Sequence, residues 1–131
     1  MSQRVAAGAA VLLAAALVWV GRSRSGAERG AELDAERLAA PGARARGERL
    51  FLQHCALCHG ARADGRGPRR RYLSSPARDL TSRSWRERAS APRVHAAIRD
   101  GLPGTSMPAW RGLGAEALTD LTAFVLSVGG G

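Results

Sequence analysis

Hydrophobic and polar positions divide the chain into three regimes. From Val5 to Gly21 seventeen residues carry no charge, seven of them alanine, and Arg4 and Arg22 close the run on either side. At ~1.5 Å per residue a helix of that length covers about 25 Å, just enough for a bilayer core of roughly 30 Å. Residues 22–43 then turn to Arg, Glu, Ala and Gly, with Leu33 and Leu38 the only large apolar side chains. Mixed charge with so little to bury predicts a flexible tether, with room for a helical piece at 31–40.

The third regime starts near Arg44. Leu50, Phe51 and Leu57 give a first helical pattern over 44–57, with Gly47 a small spot on it. A second pattern covers 91–100. Ser90 stands at its N-cap, Pro92 in its first turn, Val94, Ala97 and Ile98 on one face, and Gly101 at its stop. Over 115–128, Leu118, Leu121, Phe124, Val125 and Val128 recur at steps of three and four, and Glu116 suits the positive end of that helix. Between the first two patterns, Gly60, Gly65, Gly67, Pro68 and Pro76 mark a long loop, with one helical turn near 81–87. No alternating strand pattern appears. The pattern therefore predicts an all-α fold in three segments: 1–24 an anchor or signal, 25–43 a linker, 44–131 the folded domain.

Composition sharpens this picture. A chain of 131 residues has room for one small domain, and two cysteines are too few for a disulfide-dense scaffold. Residues 44–131 hold about twenty large apolar side chains, thin for a domain with such long connections, so a non-protein group is expected to supply part of the core. The net charge of +9 comes from twenty arginines and no lysine against eleven acidic residues. Nine of those arginines lie between Arg62 and Arg88, against Asp64, Asp79 and Glu87, and Arg69, Arg70 and Arg71 are consecutive. That stretch reads either as a solvated loop, as a docking patch for an acidic partner, or as a contact for anionic lipid. With no aromatic interleaving, nucleic acid is not an expected partner.

Both cysteines fall in one pentapeptide, Cys55-Ala56-Leu57-Cys58-His59. Two thiols three residues apart can each add to one vinyl group of a haem, and the adjacent imidazole then meets the iron from one face. This is the attachment string of c-type haem. Three rivals remain. A redox dithiol would expect a βαβ context, a zinc site would need a fourth ligand with only His54 and His95 at hand, and a disulfide across so short a gap stabilises little.

Haem iron held by His59 takes a second protein ligand or keeps an open face. Apart from Met1, the chain has one methionine, Met107, in the loop Gly104-Thr105-Ser106-Met107-Pro108-Ala109-Trp110. Pro108 fixes the backbone right behind it, which favours a held sulfur over a gap-filling side chain. His95 is the weaker alternative ligand, and His54 is expected in solvent.

With these residues in place the sequence resembles the class I (mitochondrial-type) cytochrome c domain of bacterial electron carriers. The matching stretches are Gly47 to Phe51, Cys55 to Gly60, Gly65 to Pro68, Pro76 to Thr81, Ile98 to Gly101 and Gly104 to Trp110, in the family's order over about 44–128. Gly114 departs from it, standing where the last helix often begins with Ser or Thr. The resemblance implies a cytochrome c fold of three to five helices around one covalent haem c, with first and last helices crossing at Gly47 against Phe124 or Leu121. It also implies His59 and Met107 as iron ligands, the Pro68 carbonyl as acceptor for the His59 Nδ1–H, and Tyr72 and Trp110 as haem-edge or propionate contacts, with ordinary packing as their competing role.

The implied function is electron transfer between respiratory redox partners in the periplasm. Two alternatives stand beside it: a haem subunit of a larger oxidase or reductase, and a catalytic or sensing module with an open iron. The N-terminal run serves either as an uncleaved anchor in the cytoplasmic membrane or as a signal segment, with Ser25-Gly26-Ala27 the available cleavage site behind two arginines. Arg22, Arg24 and Arg29 favour a cytoplasmic C-terminal side by charge, whereas haem attachment in this family implies the outer side. The haem argument is the stronger, because the charge rule is a tendency.

Overall fold

The computed structural model describes residues 33–128; the expected anchor or signal segment, 1–24, lies outside them. Among the described residues no helix is long and apolar enough to cross a membrane. The order of elements is α1 (Ala35–Ala39), α2 (Ala43–His54), α3 (Ala56–His59), a 3-10 turn (Arg70–Tyr72), α4 (Arg83–Arg86), α5 (Ala91–Asp100), a second 3-10 turn (Arg111–Leu113) and α6 (Ala115–Ser127). No strand occurs among the described residues. Among the described residues there are six α-helices: five make up the expected domain, in line with the three to five expected, and α1 falls in the segment read as linker. α3 is separate from α2 because Cys55, at φ −113° and ψ −30°, breaks the regular spiral between them.

The frame is built by α2, α5 and α6. Phe51, Val94, Ile98, Leu118, Leu121 and Val125 are buried together, with Leu80 and Ala63 brought in from the long loop. The rings of Phe51 and Phe124 meet at 5.0 Å with a 51° tilt, a favoured aromatic geometry at the α2–α6 crossing. Gly47 makes that crossing possible. A Cβ there would overlap the Asp120 carbonyl oxygen and lie 2.8 Å from the Phe124 Cβ. The apolar pattern differs in one place: Leu57, an apolar contributor to the helical pattern expected over 44–57, is 52% exposed and lies on α3, beyond the break at Cys55.

A buried carboxylate ties the ends of the domain together. Asp120 on α6 is 3% exposed and takes a two-pronged bond from Arg46 on α2, with Nε–Oδ2 at 2.9 Å and Nη2–Oδ1 at 3.0 Å. Arg37 of α1 adds a third bond, Nη2–Oδ2 at 2.8 Å, and also reaches Glu116 at 3.0 Å. Burial pushes the Asp120 carboxyl up, but the bonds from Arg46 and Arg37 outweigh it and hold the group below the usual carboxylate range. Thus α1, within the segment read as linker, is strapped onto α6 by an arginine that hydropathy alone would leave in solvent.

Candidate functional site

Local sequence places the pentapeptide on a corner. α2 ends at His54, Cys55 caps it, and α3 carries Ala56 to His59 through a single turn before Gly60. Both cysteines are free and half-buried, and Cys55 packs on the edge of the core. Burial, and secondarily the neighbouring Cys58, pushes the Cys55 thiol up to about 11. A redox-active dithiol favours the opposite shift, toward thiolate, so the environment of Cys55 runs against that reading. A zinc reading fails on donors: among the described residues no group of three or more His, Cys, Asp or Glu side chains converges.

His59 is held by the long loop. Gly65 N–H donates to the His59 carbonyl at 2.8 Å, Gly67 N–H to Cys58 at 3.2 Å and Arg69 N–H to Leu57 at 2.9 Å, so residues 60–69 wrap the pentapeptide. The returning limb of that loop supplies the decisive contact. His59 Nδ1 donates to the Arg78 carbonyl oxygen at 3.1 Å. This corrects the expectation for Pro68, whose carbonyl is not the acceptor; the loop passes Pro68 by and turns back at Pro76-Ala77-Arg78. A carbonyl can only accept, so the Nδ1 atom carries the proton and the Nε2 lone pair is left for another partner. Burial holds the imidazole below its ordinary pKa despite the Arg78 bond, keeping it neutral as a ligand must be.

Met107 sits in a loop clamped to α5. Trp110 N–H donates to the Ile98 carbonyl at 3.0 Å and Leu102 N–H to the Met107 carbonyl at 3.2 Å. Gly101, at φ +71°, makes this closure possible; a Cβ there would lie 2.8 Å from the Met107 oxygen and the Ala109 nitrogen. Arg111 adds a 2.8 Å bond to Asp100 at the foot of α5. The Met107 side chain is half-buried against the same core cluster that Cys55 touches.

The remaining expected residues divide. Trp110 packs on the core and its ring lies 5.3 Å from that of His54, which is half-buried where solvent exposure was expected. Tyr72 is 75% exposed. His95, the weaker ligand candidate, is buried in α5 with its Nε2 unpartnered. Arg78 was missed by sequence reasoning because a backbone carbonyl is chosen by loop path, and no side-chain signal announces it.

The donor set fits a c-type haem: two free thiols one turn apart, a neutral imidazole with a free Nε2, and a clamped thioether. Comparison with known proteins agrees. Residues 42–125 match the family model described as Cytochrome C oxidase, cbb3-type, subunit III. The chain is similar to the cbb3-type cytochrome c oxidase subunit FixPc of Rhizobium leguminosarum bv. viciae, 37% identical over 95 residues, covering 70% of this chain and 30% of that protein. Subunit FixP of Bradyrhizobium diazoefficiens is 33% identical over 88 residues, covering 66% of this chain and 28% of its own length. For subunit CcoP of Rubrivivax gelatinosus the values are 36% over 91 residues, 69% and 27%. The chain thus spans about three tenths of the length of the curated relatives it matches. No solved structure matches it.

Proposed function

The chain belongs to the family of cytochrome c oxidase, cbb3-type, subunit III, and on that premise we propose that its folded domain holds one covalent haem c and relays electrons as a subunit of an oxidase complex. The observation that carries this reading is the His59 Nδ1–Arg78 carbonyl bond beside two free thiols, because it fixes the tautomer that a ligating imidazole requires. The two cysteines of the sequence allow one attachment, hence one haem for this chain.

When bound, the haem supplies a one-electron iron couple. The chain's residues determine how that couple behaves. Cys55 and Cys58 would hold the ring by thioethers, formed by adding each S–H across a vinyl C=C with no net oxidation. His59 would ligate through Nε2, and the Arg78 carbonyl raises the donor strength of the ring by accepting a hydrogen bond from its Nδ1–H. Met107 would supply the second ligand, and a thioether in place of a second imidazole favours the reduced state. No general acid, base or nucleophile is assigned, since the domain passes electrons and transforms no substrate.

The relatives, each named as an oxidase subunit, support attachment to a larger complex over a freely diffusing shuttle. An N-terminal helix at 5–21 would anchor the domain in the cytoplasmic membrane with residues 22–131 in the periplasm. The arginines of 62–88 would face an acidic redox partner. Solubilisation of the haem-loaded protein in mild detergent tests the subunit reading: co-purification with other oxidase subunits is expected, and recovery as a lone monomer would contradict it. Met107→Ala tests the ligand set. It should change the visible spectrum and lower the reduction potential, whereas an unchanged spectrum would favour the open-iron alternative.

A further inference from the structure

Two hydroxyls join the loop that carries Met107 to the loop that wraps His59. Ser74 N–H donates to the Ser106 Oγ at 2.9 Å, and the two Oγ atoms lie 3.1 Å apart. On the far side of Ser74, the 3-10 turn Arg70–Tyr72 is tied back through the Arg69 N–H to the Leu57 carbonyl, inside the attachment pentapeptide. On the other side, Ser106 precedes Met107 directly. Within the loop, Thr105 Oγ1 donates to the Leu102 carbonyl at 2.7 Å and accepts the Met107 N–H at 3.2 Å.

A path of backbone and hydroxyl bonds therefore runs from the pentapeptide, through residues 67–74, to the residue next to the sulfur. The bonds at Leu102 and Trp110 hold the Met107 loop to α5, its own neighbour in sequence. The Ser74–Ser106 pair instead ties it across the site, so it resists the movement that would take the sulfur away from the His59 side. Both serines are exposed, so water competes for these bonds and they can break without disturbing the core.

We infer that Ser74 and Ser106 form a clasp that sets how readily the Met107 sulfur gives way to an external ligand. They are positioning residues, acting through Met107. The inference rests on the proposed reading of Met107 as iron ligand.

The test uses the full chain with haem attached, in the oxidised state, and imidazole as the external ligand, with binding followed by visible absorbance. Ser106→Ala removes both bonds and should raise the limiting rate of imidazole binding roughly five- to tenfold, from about 0.5–1.5 kcal/mol per net hydrogen bond in part screened by water. Ser74→Ala keeps the N–H donor and loses only the hydroxyl pair, so a smaller rise of roughly two- to threefold is expected by the same scale. Ser106→Thr restores a hydroxyl and should return the rate toward that of the unsubstituted protein. Ser84→Ala, on α4, should leave it unchanged. Equal rates in Ser106→Ala, Ser74→Ala and the parent overturn the clasp, as does a Ser106→Thr rate as fast as that of Ser106→Ala. If Ser106→Ala fails to fold, Ser74→Ala decides. Should Met107→Ala and the parent have the same spectrum, the ligand reading itself fails; a changed Met107→Ala spectrum with silent serine variants removes the clasp alone.

Discussion

Gly47→Ala probes the helix crossing on which the site is mounted. The added methyl would overlap the Asp120 carbonyl oxygen and stand 2.6 Å from the carbonyl carbon and 2.8 Å from the Phe124 Cβ. Two of these three neighbours are backbone of α6, so no rotamer change relieves the clash. α2 and α6 must part by about 1 Å, a gap that forfeits a quarter to a half of each dispersion contact across it. Those contacts include the Phe51–Phe124 pair and Leu121, the centre of the core. Overpacking of this kind costs about 1–3 kcal/mol or more, and rigid neighbours put this case at the upper end. Alanine returns about 1 kcal/mol through helix propensity. The net loss is about 2–3 kcal/mol, which for a domain of this size lowers Tm by roughly 10–20 °C. Thermal unfolding of the haem-loaded protein, followed by far-ultraviolet circular dichroism, reads it. Gly112→Ala is the control, since nothing lies within 4 Å of a Cβ there. Equal Tm values for Gly47→Ala and the parent would refute the close crossing.

Other predictions follow from single groups. Asp120→Asn should cost about 1–3 kcal/mol, since the arginines it releases can rehydrate. Because the paired carboxyl sits below the usual value, its contribution is complete above about pH 3.9 and fades as pH falls through the folded-state value; acid titration of stability should be flatter in the Asn variant. His95 is held below its ordinary pKa first by burial and then by Arg99, so the unfolded chain takes up the proton first. Stability should therefore fall as pH drops from about 6.5 toward the lowered folded value, and His95→Gln should make that slope shallower in urea titrations, His59 supplying the remainder in the haem-free chain. In the haem-free chain, iodoacetamide should alkylate Cys55 slowly at neutral pH, with the rate climbing until about pH 11; fast labelling at pH 7 would contradict its burial.

The amphipathic elements were legible because their signals are local. Leu118, Leu121 and Val125 gave α6 its face, and Ser90, Pro92 and Gly101 bracketed α5 to the residue. The Cys55–His59 pentapeptide stands out in the sequence for the same reason: the chemistry proposed for it is written in adjacent side chains. Gly47 was read as a contact spot against Phe124 or Leu121, and the crossing indeed passes over Asp120 and Phe124. What escaped were features decided by chain path. Arg78 meets His59 through a carbonyl nineteen residues away, which no side-chain pattern encodes. Arg37 in a polar stretch looks like tether until Asp120, eighty-three residues later, is seen to be buried. Leu57 belongs to the apolar pattern of 44–57, yet periodicity cannot foresee the break at Cys55, beyond which it lies exposed.

Intact-mass spectrometry of the chain after production with a haem-attachment system, under denaturing conditions, bears most directly on the central claim. The polypeptide should carry the mass of one haem, and Cys55→Ser with Cys58→Ser should abolish it. A bare polypeptide mass from the unsubstituted chain, with both thiols still open to alkylation, would contradict the account.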